Sequence, residues 1–126
     1  MANSIRISAT VIVLALSLAA PLHASAREVF ECTDPVGRFD TDQPVVVVAT
    51  VNDDAKTGKI DVAGVTYETD YKVKGFDRQW GFGGNDEYYE FLLIIEPNGD
   101  AMYMNFGPDS ELGIPLDTQN FFCKPR

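Results

Sequence analysis

The clearest pattern along the chain is an alternation of side chains over Val65 to Lys74. Valine, tyrosine or threonine occupies the first and every second position after it, and charged residues or threonine occupy the positions between. A period of two places the two sets on opposite faces of a β-strand. This segment is therefore predicted to be an antiparallel strand with one face on the core and the other in water.

Shorter apolar or β-branched runs, separated by turn residues, predict further strands at 29–32, 45–51, 59–62, 88–96, 100–106 and 120–124. Pro97, Asn98 and Gly99 lie between two of these runs and have the residue types of a tight turn, which predicts a β-hairpin. No segment after residue 26 has helical periodicity. We expect an all-β fold, a small antiparallel barrel or sandwich of six to eight strands.

The first 26 residues have the pattern of a secretory signal peptide. Arg6 precedes an apolar run over residues 9–20, and Ala24-Ser25-Ala26 has the small residues of a cleavage site. The run is shorter than the roughly 20 residues that span a bilayer, although a membrane anchor is the alternative interpretation. We predict cleavage after Ala26 and a single β domain over 27–126. It would be periplasmic or secreted, without stable membrane insertion.

Cys32 and Cys123 are the only cysteines, and they lie near opposite ends of the predicted mature chain. In an exported protein such a pair predicts a disulfide, here one that ties the first strand to the last. Two unpaired buried thiols are the alternative. A redox-active pair is typically close in sequence, as in C-x-x-C, so we expect a structural role.

The chain is strongly acidic, with a formal net charge of −9. Removal of residues 1–26 would take away Arg6 and no acidic residue, which changes the charge to −10. This balance argues against nucleic acid as a partner and disfavours anionic membranes. It would attract a basic protein from a distance, although an acidic surface also serves solubility alone.

The side chains needed for most enzymes are missing. His23, the only histidine, lies in the predicted signal peptide, and Ser110 is the only serine after residue 26. A serine or cysteine nucleophile would have no histidine base, and histidine-containing zinc sites are excluded. We predict a protein that is not an enzyme and has no cofactor or metal. Asp40–Asp42 and Asn52–Asp54 are interpreted as turns rather than calcium loops, because neither extends into an EF-hand pattern.

One stretch combines aromatic residues with arginine, the residue types enriched at interface hot spots. If residues 76–82 are extended, four side chains share a face, and an acidic loop follows them. The candidate binding residues are Phe76, Arg78, Trp80, Phe82, Asp86 and Glu87. In the alternative interpretation Trp80 plugs one end of the barrel and Arg78 pairs with a nearby carboxylate, because a buried charge must be paired.

Phe30-Glu31-Cys32 in the first strand and Phe122-Cys123 in the last resemble the frame of the periplasmic inhibitors of c-type lysozyme. Those proteins are exported β-barrels of about this length. The resemblance implies a barrel and a basic protein partner. That family inhibits through a Ser-Gly-x-x-Tyr loop, which is absent here because Ser110 is followed by Glu111. No residue is therefore assigned an inhibitory role.

Three functions remain open at this point. The first is a non-enzymatic exported protein that binds, inhibits or sequesters a basic protein such as lysozyme. The second is a secreted effector or virulence factor of a host-associated bacterium, which would act after export. The third is a glycan hydrolase that uses a pair of carboxylates.

Overall fold

Eight β-strands make up the fold in a computed structural model that describes residues 27–85 and 87–126. The predicted signal peptide and Asp86 lie outside the described residues. The strands are β1 Val29–Thr33, β2 Val47–Val51, β3 Thr57–Val62, β4 Val65–Lys74, β5 Asp77–Phe82, β6 Phe91–Ile95, β7 Asp100–Asn105 and β8 Gln119–Pro125. A short 3-10 helix over Pro35–Gly37 follows β1.

Each strand pairs in antiparallel fashion with the next, and β8 pairs back with β1 to close a barrel. The all-β prediction is confirmed, and of its two forms the barrel is the one that forms. Cys32 lies directly opposite Cys123 in the closing pair, and a disulfide joins these two buried residues. The predicted tie between the first and last strands is therefore confirmed.

The seven predicted strands agree with the observed bounds to within two residues, apart from the start of β6. β4 begins and ends at the predicted residues, and Thr69 and Tyr71 on its apolar face are buried. The hairpin of β6 and β7 is also confirmed, but β6 begins at Phe91 instead of residue 88. Tyr88 instead forms an isolated bridge with Asn85, because the chain there bends back into a loop.

Large side chains fill the barrel interior, as is usual for a closed sheet of eight strands. The largest that are fully buried are Trp80, Tyr103, Phe91 and Phe121. The indole N–H of Trp80 in β5 donates to the backbone oxygen of Thr50 in β2, at 3.0 Å, and so spans the interior. Gly58 makes room for this ring, since a Cβ there would lie 2.7 Å from the indole.

The connections alternate between the two ends of the barrel because consecutive strands are antiparallel. One end, called the short-turn end, has the connections 52–56, 75–76 and 96–99 and both ends of the described domain. The other, called the long-loop end, has 34–46, 63–64, the described residues 83–85 and 87–90, and 106–118. Within the described residues, no helix is long and apolar enough to cross a membrane.

Candidate functional site

The four candidate residues of the aromatic stretch do not form one exposed face. Arg78, Trp80 and Phe82 alternate as predicted, but their shared face is the inside of the barrel, and Trp80 and Phe82 are buried. Phe76 lies in the turn before β5 and is 86% exposed. The prediction of a common binding surface is corrected accordingly. The structure agrees with the alternative interpretation in that Arg78 pairs with a carboxylate and Trp80 is inside the barrel, because closing the sheet turns this face into the core. Trp80 lies within β5 and spans the interior instead of plugging one end.

Arg78 lies on the inner face of β5 near the short-turn end, where its charge is paired. The guanidinium donates to both carboxylate oxygens of Glu28, at 2.6 and 2.9 Å, and to the hydroxyl of Tyr71 at 2.7 Å. Its central carbon is 5.2 Å from the centroid of the Phe30 ring. These contacts pair the charge of Arg78 within the protein, so we assign Arg78 a structural role at the short-turn end of the barrel.

A different surface has the features of a binding site: an open groove of about 520 Å³ on the wall formed by β4 and β5. Glu68 and Asp70 line it from the outer face of β4, and Gly81 of β5 lies opposite Asp70. Asn85 and Tyr89, from the loop after β5, line it as well. The groove therefore brings two carboxylates, an amide and a phenol together on one face.

Glycine at position 81 allows this groove to form. The Tyr89 ring lies so close to the backbone that a Cβ on Gly81 would be 2.6 Å from it. The Tyr89 hydroxyl donates to a carboxylate oxygen of Asp70 at 2.9 Å, which fixes the ring beside the acidic residues. This hydrogen bond, with partial burial and the negative charge of Asp70, raises the pKa of Tyr89 above its ordinary value.

Glu90 attaches the loop of the groove to the neighbouring long loop. One of its carboxylate oxygens accepts from the Gly84 N–H and from the Ser110 hydroxyl, both at 3.1 Å. Its backbone oxygen accepts from the Phe106 N–H at 2.7 Å. Gly84 has a φ of 83°, a conformation that favours glycine. Glu90 therefore links the loop that lines the groove both to its own Gly84 and to the 106–118 loop.

Glu87, one of the candidate residues, does lie beside the groove. It lines an adjoining recess of about 410 Å³ together with Lys72 and Tyr88, and this recess shares Asp70 and Tyr89 with the groove. Tyr88 is 57% exposed. Asp86, its neighbour in sequence, is outside the described residues. The combined surface has three carboxylates, two phenols and one cation at its edge.

The chemistry of this surface suits a cationic side chain of another protein. Carboxylates form charge-assisted hydrogen bonds with lysine or arginine, and an exposed phenol ring attracts a cation over its face. Within residues 27–85 and 87–126, no three metal-ligating side chains come together.

The aspartates that were interpreted as turn residues occupy turns. Asp54 accepts from the backbone N–H groups of Lys56 and Thr57, both at 2.9 Å, and these hydrogen bonds lower its pKa. Asp40 accepts from the N–H of Asp42. The carboxylates thus stabilise their own loops, as Asx turns do.

Sequence reasoning missed Glu68, Asp70 and Tyr89 as site residues. The first two were assigned to the wet face of β4, which is correct, but the pairing of Asp70 with Gly81 of β5 is a tertiary feature. Tyr89 was assigned to a strand. The chain matches no protein-family model, no curated protein and no solved structure. The groove itself is therefore the basis for a functional proposal.

Proposed function

We propose that this is a non-enzymatic exported protein that binds a basic protein through the groove between β4 and the loop after β5. The observation that supports it most is the arrangement of Glu68, Asp70 and Glu87 around the fixed ring of Tyr89. The disulfide is compatible with an oxidising compartment outside the cytoplasm. Binding does not depend on whether the protein stays in the periplasm or is released.

The partner would present a lysine or arginine side chain to the groove. The acidic charge of the whole chain would draw such a protein in, and the groove would supply the specific contacts. A c-type lysozyme is the leading example, because it is basic and because the cysteine frame of the chain resembles that of lysozyme inhibitors. Since the Ser-Gly-x-x-Tyr loop is absent, binding would use different residues from those of that family.

Calorimetric titration of the disulfide-bonded protein with c-type lysozyme tests this proposal. We expect binding at low salt that weakens at moderate salt, because exposed charges are screened. A Glu68→Gln, Asp70→Asn double variant should bind at least about tenfold more weakly, since losing contacts of a charged group typically costs more than 1 kcal/mol. A lysozyme activity assay on the same samples shows whether binding inhibits the enzyme.

Glu96→Gln with Asp77→Asn is the matched control. It removes the same charge from the short-turn end, and neither side chain makes a hydrogen bond or ion pair within the described part of the chain. The control should retain most of the affinity. No binding of lysozyme by the parent protein at either salt concentration would remove lysozyme from consideration. Equal losses in both variants would contradict the role of the groove.

A further inference from the structure

The two most exposed large apolar side chains of the described residues are Val36 and Phe39, at 95% and 92% exposure. Both lie in the connection between β1 and β2, Val36 within the 3-10 helix and Phe39 just after it. Single exposed apolar residues are common on protein surfaces. Two almost fully exposed ones in the same turn require an explanation, which could be either a loose loop or a surface that meets a partner.

The backbone of this turn is well defined by hydrogen bonds. The Asp34 carboxylate accepts from the Val36 N–H at 2.9 Å, and i to i+3 bonds link Asp34 to Gly37, Pro35 to Arg38 and Gly37 to Asp40. Val36 and Phe39 are the two exposed apolar side chains of this turn, and together they are called the apolar edge.

Arg38 attaches this turn to the barrel. Its guanidinium carbon lies 4.2 Å from the centroid of the Phe122 ring on β8, and the group forms an ion pair with Asp100 at 3.1 Å. The turn is thus held against the outside of β8. The Phe39 ring centroid lies 5.5 Å from the guanidinium carbon of Arg38, and Phe39 and Val36 both stay exposed. A loose loop does not explain the exposure. A fixed apolar edge has little conformational freedom to lose on binding.

We propose that the apolar edge is a second docking surface, for a basic protein that offers an apolar recess. The charges around the edge identify this occupant. Asp34, Asp40 and Asp42 flank it, and the only cation of the connection, Arg38, is neutralised by Asp100. Apolar side chains in a negative field are complementary to a basic face. A second copy of this acidic chain would be repelled.

The apolar edge is independent of the groove. It lies over β8, which pairs with β1, whereas the groove lies on β4 and β5, the strands on the opposite side of the eight-stranded barrel. The two surfaces have no residue in common, and each would bind a basic protein on its own. This inference does not rest on the proposed function of the groove.

The test is a titration of isotope-labelled, disulfide-bonded protein with c-type lysozyme as the basic probe, followed by backbone amide shifts in NMR spectra. We expect shifts in residues 34–42. A Val36→Ser, Phe39→Ser variant should weaken binding at this surface at least about tenfold, as for two hot-spot side chains. The control, Phe76→Ser with Met102→Ser, also removes two exposed apolar side chains and should leave the affinity at this surface unchanged.

The outcomes separate the two surfaces. Shifts confined to residues 34–42 would support the apolar edge and contradict the role of the groove. Shifts confined to residues 68–70 and 81–89 would support the groove and overturn this second surface. Absence of shifts in 34–42 at millimolar lysozyme would overturn it whatever the groove does. A dimer of the parent protein that the Val36→Ser, Phe39→Ser variant dissociates would identify a second copy as the occupant, and would also overturn it.

Discussion

The β8–β1 wall and the β4–β5 wall stand on opposite sides of the same barrel and form in different ways. β4 and β5 are joined by the two-residue connection Gly75-Phe76, so their pairing closes a very short loop. β8 and β1 come from opposite ends of the domain, and their cysteines are 91 positions apart. Closing a longer loop costs more chain entropy. The covalent tie lies at the wall where that cost is greatest.

The surfaces of the two walls differ as well. On the β4–β5 wall, glycine in place of a side chain lets Tyr89 lie on the strand, and the result is a polar, acidic groove. On the β8–β1 wall, Phe122 supports Arg38, and the turn above it presents an apolar edge. One closed barrel thus provides two unlike surfaces, because Gly81 admits the Tyr89 ring at one wall and Phe122 supports Arg38 at the other.

The largest effect is expected at the β8–β1 wall. A Cys32→Ala, Cys123→Ala variant should lose roughly 4 kcal/mol on the chain-entropy model, because the disulfide restrains nearly the whole unfolded chain. At about 4 °C or more per kcal/mol, the melting temperature should fall by roughly 15 °C or more. Thermal melts by circular dichroism measure this. If the parent protein, purified under oxidising conditions, has two alkylatable thiols, the disulfide does not form in solution.

A smaller effect is expected where Trp80 connects the two halves of the barrel. Trp80→Phe removes the N–H that donates to the Thr50 oxygen and leaves unfilled space in the core. Loss of a buried hydrogen bond together with a small cavity should cost about 1–3 kcal/mol. Urea unfolding monitored by far-UV circular dichroism gives the change. A loss within about 0.5 kcal/mol, typical of surface changes, would show that this connection contributes little.

On the β4–β5 wall, Gly81→Ala tests whether the glycine makes room for the Tyr89 ring. The new methyl group would displace the Tyr89 ring, and we expect a stability loss of about 1 kcal/mol, at the low end for overpacking because the ring is only partly buried. The same change in a Tyr89→Ala background removes the collision and should cost much less. Urea unfolding of the four proteins in this cycle measures the coupling. Equal costs in both backgrounds would mean that the glycine serves something other than Tyr89.

The smallest effect is the pH dependence of the hydrogen bond between Tyr89 and Asp70. Because the folded state raises the pKa of Tyr89, its contribution is present below the ordinary value near 10 and is lost as the pH rises through the folded value. Parent protein should be more stable than Tyr89→Phe at neutral pH, and the difference should shrink above pH 10. Unfolding curves at several pH values measure it. A difference that stays constant across this range would contradict the assignment.

The fold could be predicted further than the site because strand patterns are local. The alternation of β4 and the turn at 97–99 are readable within ten residues. The disulfide was predictable because only one pairing exists. The face of Arg78, Trp80 and Phe82 was recognised, but sequence could not say whether it pointed in or out. That depends on closure of the sheet and on Glu28, which is 50 positions from Arg78.

The groove was beyond prediction for a related reason. It requires the register that places Asp70 opposite Gly81, and it requires Tyr89 to leave the strand pattern and fold back over that glycine. Neither fact is present in any single segment. The apolar edge had no pattern of its own either, since three residues of 3-10 geometry are too short to produce a period. Both surfaces come from contacts between segments that are distant in sequence.

In the proposed function the groove, and not the overall acidity of the chain, binds the basic partner. The most direct test measures the association rate with c-type lysozyme against ionic strength for three proteins. These are the parent, Glu68→Gln with Asp70→Asn, and Glu96→Gln with Asp77→Asn, the last two having the same net charge. If the groove carboxylates attract the partner, the Glu68→Gln, Asp70→Asn variant should associate more slowly than the Glu96→Gln, Asp77→Asn variant. Its association rate should also depend less on salt. Identical rates and slopes for the two variants would contradict the claim, because only net charge would then matter.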